Sequence, residues 1–154
     1  MASPTRQAPA PAPAPAPPPF LVTPIMLMLW LLLASSHTRG AMAAPPNTEA
    51  LSVLCNGASY GAGDPFATSL AFVLSELVSA TPVRAGHDFY DISPYPAAFA
   101  YGHAACRAAL SAADCAACLR SAVSQMDASC GHSVGARAVL VDCSVRYEQY
   151  AFVD

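Results

Sequence analysis

Six cysteines, at positions 55, 106, 115, 118, 130 and 143, constrain this chain more than any other feature. All six fall after residue 50 of a 154-residue sequence. An even count in so short a stretch points to three disulfides in an oxidising compartment. Spacing leaves their pairing open, since six cysteines allow about fifteen connectivities. Cys115-x2-Cys118 admits two other readings, a redox pair at a helix start or half of a zinc site. Four further cysteines in a secreted chain argue against the first. Lack of a second Cys-x2-Cys or His-x3-His half argues against the second. His103 and His132 are read as ordinary hydrogen-bonded side chains, and no metal is expected.

The N-terminus sets the compartment. Residues 8–19 are Ala-Pro repeats ending in Pro17-Pro18-Pro19, a low-complexity stretch with nothing to pack. An apolar run from Phe20 to Ala34 follows, short for a membrane span, and then Ala41-Met42-Ala43 offers small residues for signal peptidase. Residues 1–43 are therefore expected to be a signal peptide with a Pro/Ala-rich start. Residues 44–154 are expected to be one domain with no integral membrane segment. At about 111 residues, hydrophobic burial alone is marginal, and disulfides supplement it.

Charge excludes some partners. All ten acids lie at or after Glu49, against five arginines there, a balance of −5. Nucleic acid is not the expected partner, because phosphate neutralisation needs a basic surface. Lysis of anionic membranes is disfavoured on the same ground.

Local patterns place the elements. Asp64-Pro65 is a helix start, with an N-cap acceptor and proline at the first helical position. Phe66, Leu70, Val73, Leu74 and Leu77 then share one helical face, and Pro82 ends that helix. Residues 84–105, rich in aromatics, glycine and proline, are short strands and loops. Ser111 with Asp114 resembles a capping box, and behind it Cys115, Cys118, Leu119, Ala122, Val123 and Met126 face the core. From Val139 to Glu148, apolar residues alternate in the manner of one strand. Two helices and several antiparallel strands make an α+β domain.

The segment CRAALSAADCAACL, residues 106–119, follows Ala100-Tyr101-Gly102-His103. With Cys55-Asn56 before it, and Gly135-Ala136-Arg137, Cys143 and Tyr147-Glu148-Gln149 after it, this segment resembles the plant stress-antifungal cysteine-rich family. That family includes the secreted ginkbilobin-like proteins, and its domain recurs in the ectodomains of cysteine-rich receptor-like kinases and plasmodesmata-located proteins. The resemblance implies a five-stranded antiparallel sheet packed by two helices. It implies the pairs Cys55–Cys130, Cys106–Cys115 and Cys118–Cys143. It also implies a mannose site formed by Asn56, Arg137 and Glu148, all present here.

The chemistry suits a sugar. Glu148 can accept from adjacent hydroxyls, Arg137 can donate in a fixed fork, and Asn56 can do both. No cofactor is needed. An obstacle remains, since in one straight strand Arg137 and Glu148 would stand about 36 Å apart on opposite faces. A shared site requires a bend, bulge or reversal between them. The expected function is a secreted, apoplastic plant defence protein, a monomeric lectin-like antifungal module with mannose or fungal mannan as partner. The alternative is a signalling or interaction module without sugar affinity. An enzyme is not expected, because no nucleophile has a recognisable base and no carboxylate pair is marked out.

Overall fold

The structure is a computed structural model and describes residues 44–154. The expected signal peptide lies outside the described residues. The elements run β1 (Ala50–Cys55), α1 (Pro65–Ala80), two short 3-10 turns, β2 (Asp88–Ile92), β3 (Tyr101–Cys106), α2 (Ala112–Cys130), β4 (Ala136–Leu140) and β5 (Cys143–Glu148). The five strands form one antiparallel sheet in the order β1-β4-β5-β3-β2.

Both helices begin where the sequence supplies caps. The Asp64 carboxylate accepts from the Phe66 N–H at 2.9 Å, ahead of Pro65. Ser111 Oγ accepts from the Asp114 N–H at 3.1 Å. The reciprocal half of a capping box is replaced, because the Ser111 hydroxyl donates to Asp114 Oδ2 at 2.6 Å. Both helices lie on the same face of the sheet, α1 over β2 and β3, α2 over β1, β4 and β5. Phe66, Val73, Leu77, Leu119, Ala122 and Met126 are buried between the layers. Gly102 marks the tightest approach, because a β-carbon there would overlap Val73 and Leu77 of α1. Pro65–Val83 is long and apolar enough to cross a membrane by length and composition, and here it supplies the core helix.

All six cysteines are oxidised, as Cys55–Cys130, Cys106–Cys115 and Cys118–Cys143. Cys115 and Cys118 thus belong to different bridges. Cys118–Cys143 runs through the core from α2 to β5, and Cys55–Cys130 ties β1 to the end of α2.

One expectation is corrected. Residues 139–148 are not a single strand, because the chain reverses at Val141-Asp142 between β4 and β5. Ala136, Ala138 and Leu140 face the helices in β4, whereas Cys143, Val145 and Tyr147 do so in β5. The inward phase thus switches from even to odd residues across the turn. Alternation along the segment looks continuous because Val139 in β4 and Val141 in the turn extend the β5 pattern backwards.

Candidate functional site

The opposite face of the sheet carries no helix. One row of side chains on it follows the strand pairing: Leu54, Arg137, Arg146, His103 and Tyr90. A second row includes Glu148, Tyr101 and Ile92. Residues after β5 run back over this face. There Asp154 Oδ2 accepts from His103 Nδ1 at 2.8 Å, and Asp154 Oδ1 accepts from Arg146 Nη1 at 2.8 Å. Phe152 covers the Arg146 guanidinium at 4.1 Å, and Tyr90 stacks on the His103 ring at 3.9 Å.

The β4–β5 reversal supplies the fold-back that a shared site needs. Arg137 and Arg146 become direct cross-strand partners, and Glu148 follows two residues later on the same face. Asn56, just past β1, is anchored by its backbone N–H to the Gly135 carbonyl at 2.7 Å. Asn56, Arg137 and Glu148 consequently line one open cleft of about 370 Å³. The Asn56 Oδ1 accepts from the Ala58 N–H at 3.2 Å, which fixes the side chain in an Asx turn. Its amide donors have no partner among the described residues. Arg137 is exposed and likewise unpaired among them.

Glu148 is only 8% exposed. Its Oε1 accepts from Arg146 Nε at 3.3 Å and Nη2 at 3.1 Å. Its Oε2 is buried and has no hydrogen-bond partner among the described residues. A β-carbon at Gly135 would overlap that same oxygen. That oxygen is packed against Gly135 rather than open to the cleft.

Arg146 completes the site and was not singled out from sequence. Period-two alternation puts it beside Glu148, and that was the signal that could have found it. The hydrogen bond from Arg146 to Asp154 raises its pKa further, so the guanidinium stays charged. Burial pushes the Asp154 carboxyl up, but bonds from His103 and Arg146, with the nearby charge of Arg137, outweigh it and hold the group below its ordinary range. The cleft thus presents two cationic forks and one anchored carboxylate. Among the tyrosines flanking Glu148, Tyr147 faces the core and donates to the Ser133 carbonyl at 3.1 Å. Tyr150 is 54% exposed and lines the cleft. Tyr150 is therefore the aromatic ring that a ligand in the cleft could meet.

The chain has relatives of known sequence and structure. An antifungal ginkbilobin-like protein 1 from Picea glauca is 36% identical over 129 residues, covering 82% of this chain and 90% of the relative. Antifungal protein ginkbilobin-2 from Ginkgo biloba is 36% identical over 108 residues, 69% of this chain and 80% of that protein. In three dimensions the chain is similar to the tandem DUF26 ectodomain of the Arabidopsis thaliana cysteine-rich receptor-like protein PDLP5. The TM-score is 0.62 at 26% identity, over 68% of this chain and 52% of the ectodomain. This chain therefore spans about half of that tandem structure. The family model described as salt stress response/antifungal matches residues 54–150, from the end of β1 through the cleft-lining Tyr150. With the sheet, both helices and all six bridged cysteines inside or at the border of that match, the chain belongs to the salt stress response/antifungal family.

Proposed function

We propose that this chain is a secreted plant defence protein, a lectin-like antifungal module that binds mannose units of fungal mannans. In this reading residues 1–43 are removed as a signal peptide and residues 44–154 act as one extracellular domain without enzymatic activity. The observation that carries the proposal is the convergence of Asn56, Arg137 and Glu148 on one cleft, where the Asn56 amide donors and the Arg137 guanidinium have no partner among the described residues.

A hexose hydroxyl donates to the Glu148 carboxylate while its own oxygen accepts from Arg137 or the Asn56 amide. Arg146 occupies Oε1, so the carboxylate is held in one orientation. Inverting one sugar hydroxyl leaves a buried polar group unpaired, which is the physical basis for selecting one hexose. A single monosaccharide buries little surface, so one site binds weakly and branched glycans gain by multivalency. The antifungal names of the relatives support a defence role.

The test is calorimetric titration of the oxidised, secreted protein with mannose and with mannan, beside Glu148→Ala. Wild-type binding should weaken by about tenfold or more in the variant, because a charged acceptor is lost. If the folded wild type binds neither ligand, the sugar reading fails. The likeness to receptor-like ectodomains then favours a protein-binding module instead. Intact-mass analysis of the same secreted material checks removal of residues 1–43.

A further inference from the structure

A second cleft of about 320 Å³ is lined by Tyr90, Asp91, Ile92, Tyr101, Gly102 and Phe152. Tyr90 is 44% exposed and Ile92 45% exposed. The Tyr101 hydroxyl has no hydrogen bond among the described residues. The two clefts share no lining residue but neighbour each other on the sheet. Arg146 lines the first cleft, Phe152 lines the second, and the ring of one covers the guanidinium of the other. Glu148 and Tyr101 are direct cross-strand partners, and Tyr101 in turn pairs with Ile92. Neighbouring strands lie about 4.8 Å apart, so these three side chains form steps along a line leading away from Glu148.

We infer that the second cleft is a subsite for the next sugar units of a mannose oligosaccharide whose first unit sits at Glu148. This inference rests on the mannose reading of the first cleft. The two clefts differ in the way an oligosaccharide needs. The first holds the charged groups that recognise hydroxyl stereochemistry. The second offers aromatic and aliphatic faces for the C–H side of a pyranose ring, and the Tyr101 hydroxyl for one polar contact. A ligand that spans both gains affinity without a second copy of the protein. The chain therefore reads a linear mannose oligosaccharide rather than a terminal mannose alone.

The experiment is NMR titration of the secreted, oxidised protein with mannose and then with mannotriose. Wild type is compared with Tyr101→Ala and Ile92→Ala. Mannose should shift the amide signals of Gly135, Arg137 and Glu148 only. Mannotriose should shift these and also Ile92 and Tyr101, with affinity roughly three- to tenfold higher than mannose. Each variant should lose that gain while keeping the affinity for mannose. Ile92 is exposed on the edge strand, so Ile92→Ala serves should Tyr101→Ala fold poorly. The subsite is overturned, with the mannose reading intact, if mannotriose shifts only the first set of signals and binds no tighter than mannose. It is also overturned if the folded variants retain the gain. If neither sugar shifts any signal, the mannose reading and the subsite fall together.

Discussion

At position 135 a β-carbon would overlap Glu148 Oε2 and approach the Tyr147 carbonyl oxygen at 3.2 Å. Gly135 therefore leaves room for the carboxylate as well as holding Asn56 through its carbonyl. Gly135→Ala should displace the end of the Glu148 side chain, the more yielding of the two neighbours. On the proposed mannose reading, affinity is expected to fall by about tenfold, with loss of a charged hydrogen bond. Thermal melting measured in parallel should show a smaller change than a core substitution would. Nothing about residue 135 taken alone marks it for this task. Glu148 and Arg137 were legible as candidates from their neighbours in the cysteine motif. The second arginine and the glycine were not, because their roles depend on which atoms lie within a few ångströms, and residue type does not encode that. Tyr147 shows the same limit. Burial pushes its hydroxyl up to about 12, so it remains a proton donor to Ser133 and takes no part at the surface.

Among the elements, the helices were the most legible, since capping and 3.6-residue periodicity are local properties. Asp64 and Ser111 cap as their types predict. Ser111→Ala should destabilise the protein by about 1 kcal/mol, read as a lower urea midpoint at unchanged slope. The β4–β5 hairpin was the least legible, because two strands whose inward phases differ by one residue concatenate into apparent alternation. A strand boundary of this kind is set by pairing with β1 and β3, not by the segment itself. The bridges give an element-scale prediction. Cys55–Cys130 closes a sequence separation of 75, Cys118–Cys143 one of 25 and Cys106–Cys115 one of 9. By loop entropy, paired alanine replacement should cost about 4.5, 3.5 and 2.7 kcal/mol in that order. Denaturant unfolding of the three double variants checks the ranking, and equal losses would point to native-state strain or packing as the controlling factor.

Across the whole molecule, the residues after β5 connect the far side of the sheet to the cleft. His103 holds Asp154, Asp154 holds Arg146, and Arg146 holds Glu148 Oε1. Asp154 has a folded pKa below its ordinary value of 3.8. Its contribution to stability is therefore present above that value and is lost as pH falls through the folded pKa. Asp154→Asn should be less stable than wild type near neutral pH, and the difference should close under acid conditions. Urea midpoints measured for both proteins from about pH 6 down to about pH 2 provide the check. On the proposed mannose reading the variant should also bind the sugar more weakly, since Arg146 loses one of the two carboxylates that orient it.

The sequence by itself determined the α+β class, both helix starts, the cysteine motif and the residue types able to meet a sugar. Each of these follows from spacing, capping or side-chain chemistry within a short window. Family resemblance already implied the cysteine pairs and the trio Asn56, Arg137 and Glu148, and the structure has those pairs; only the tertiary structure decided where β4 turns into β5 and how that turn brings the trio to one cleft. It also added Arg146, Gly135 and the aromatic cleft beside Phe152. These depend on antiparallel pairing between segments up to about ninety residues apart. The physical reason is that cross-strand register brings side chains into contact at strand spacing, whereas position along the chain leaves them far apart.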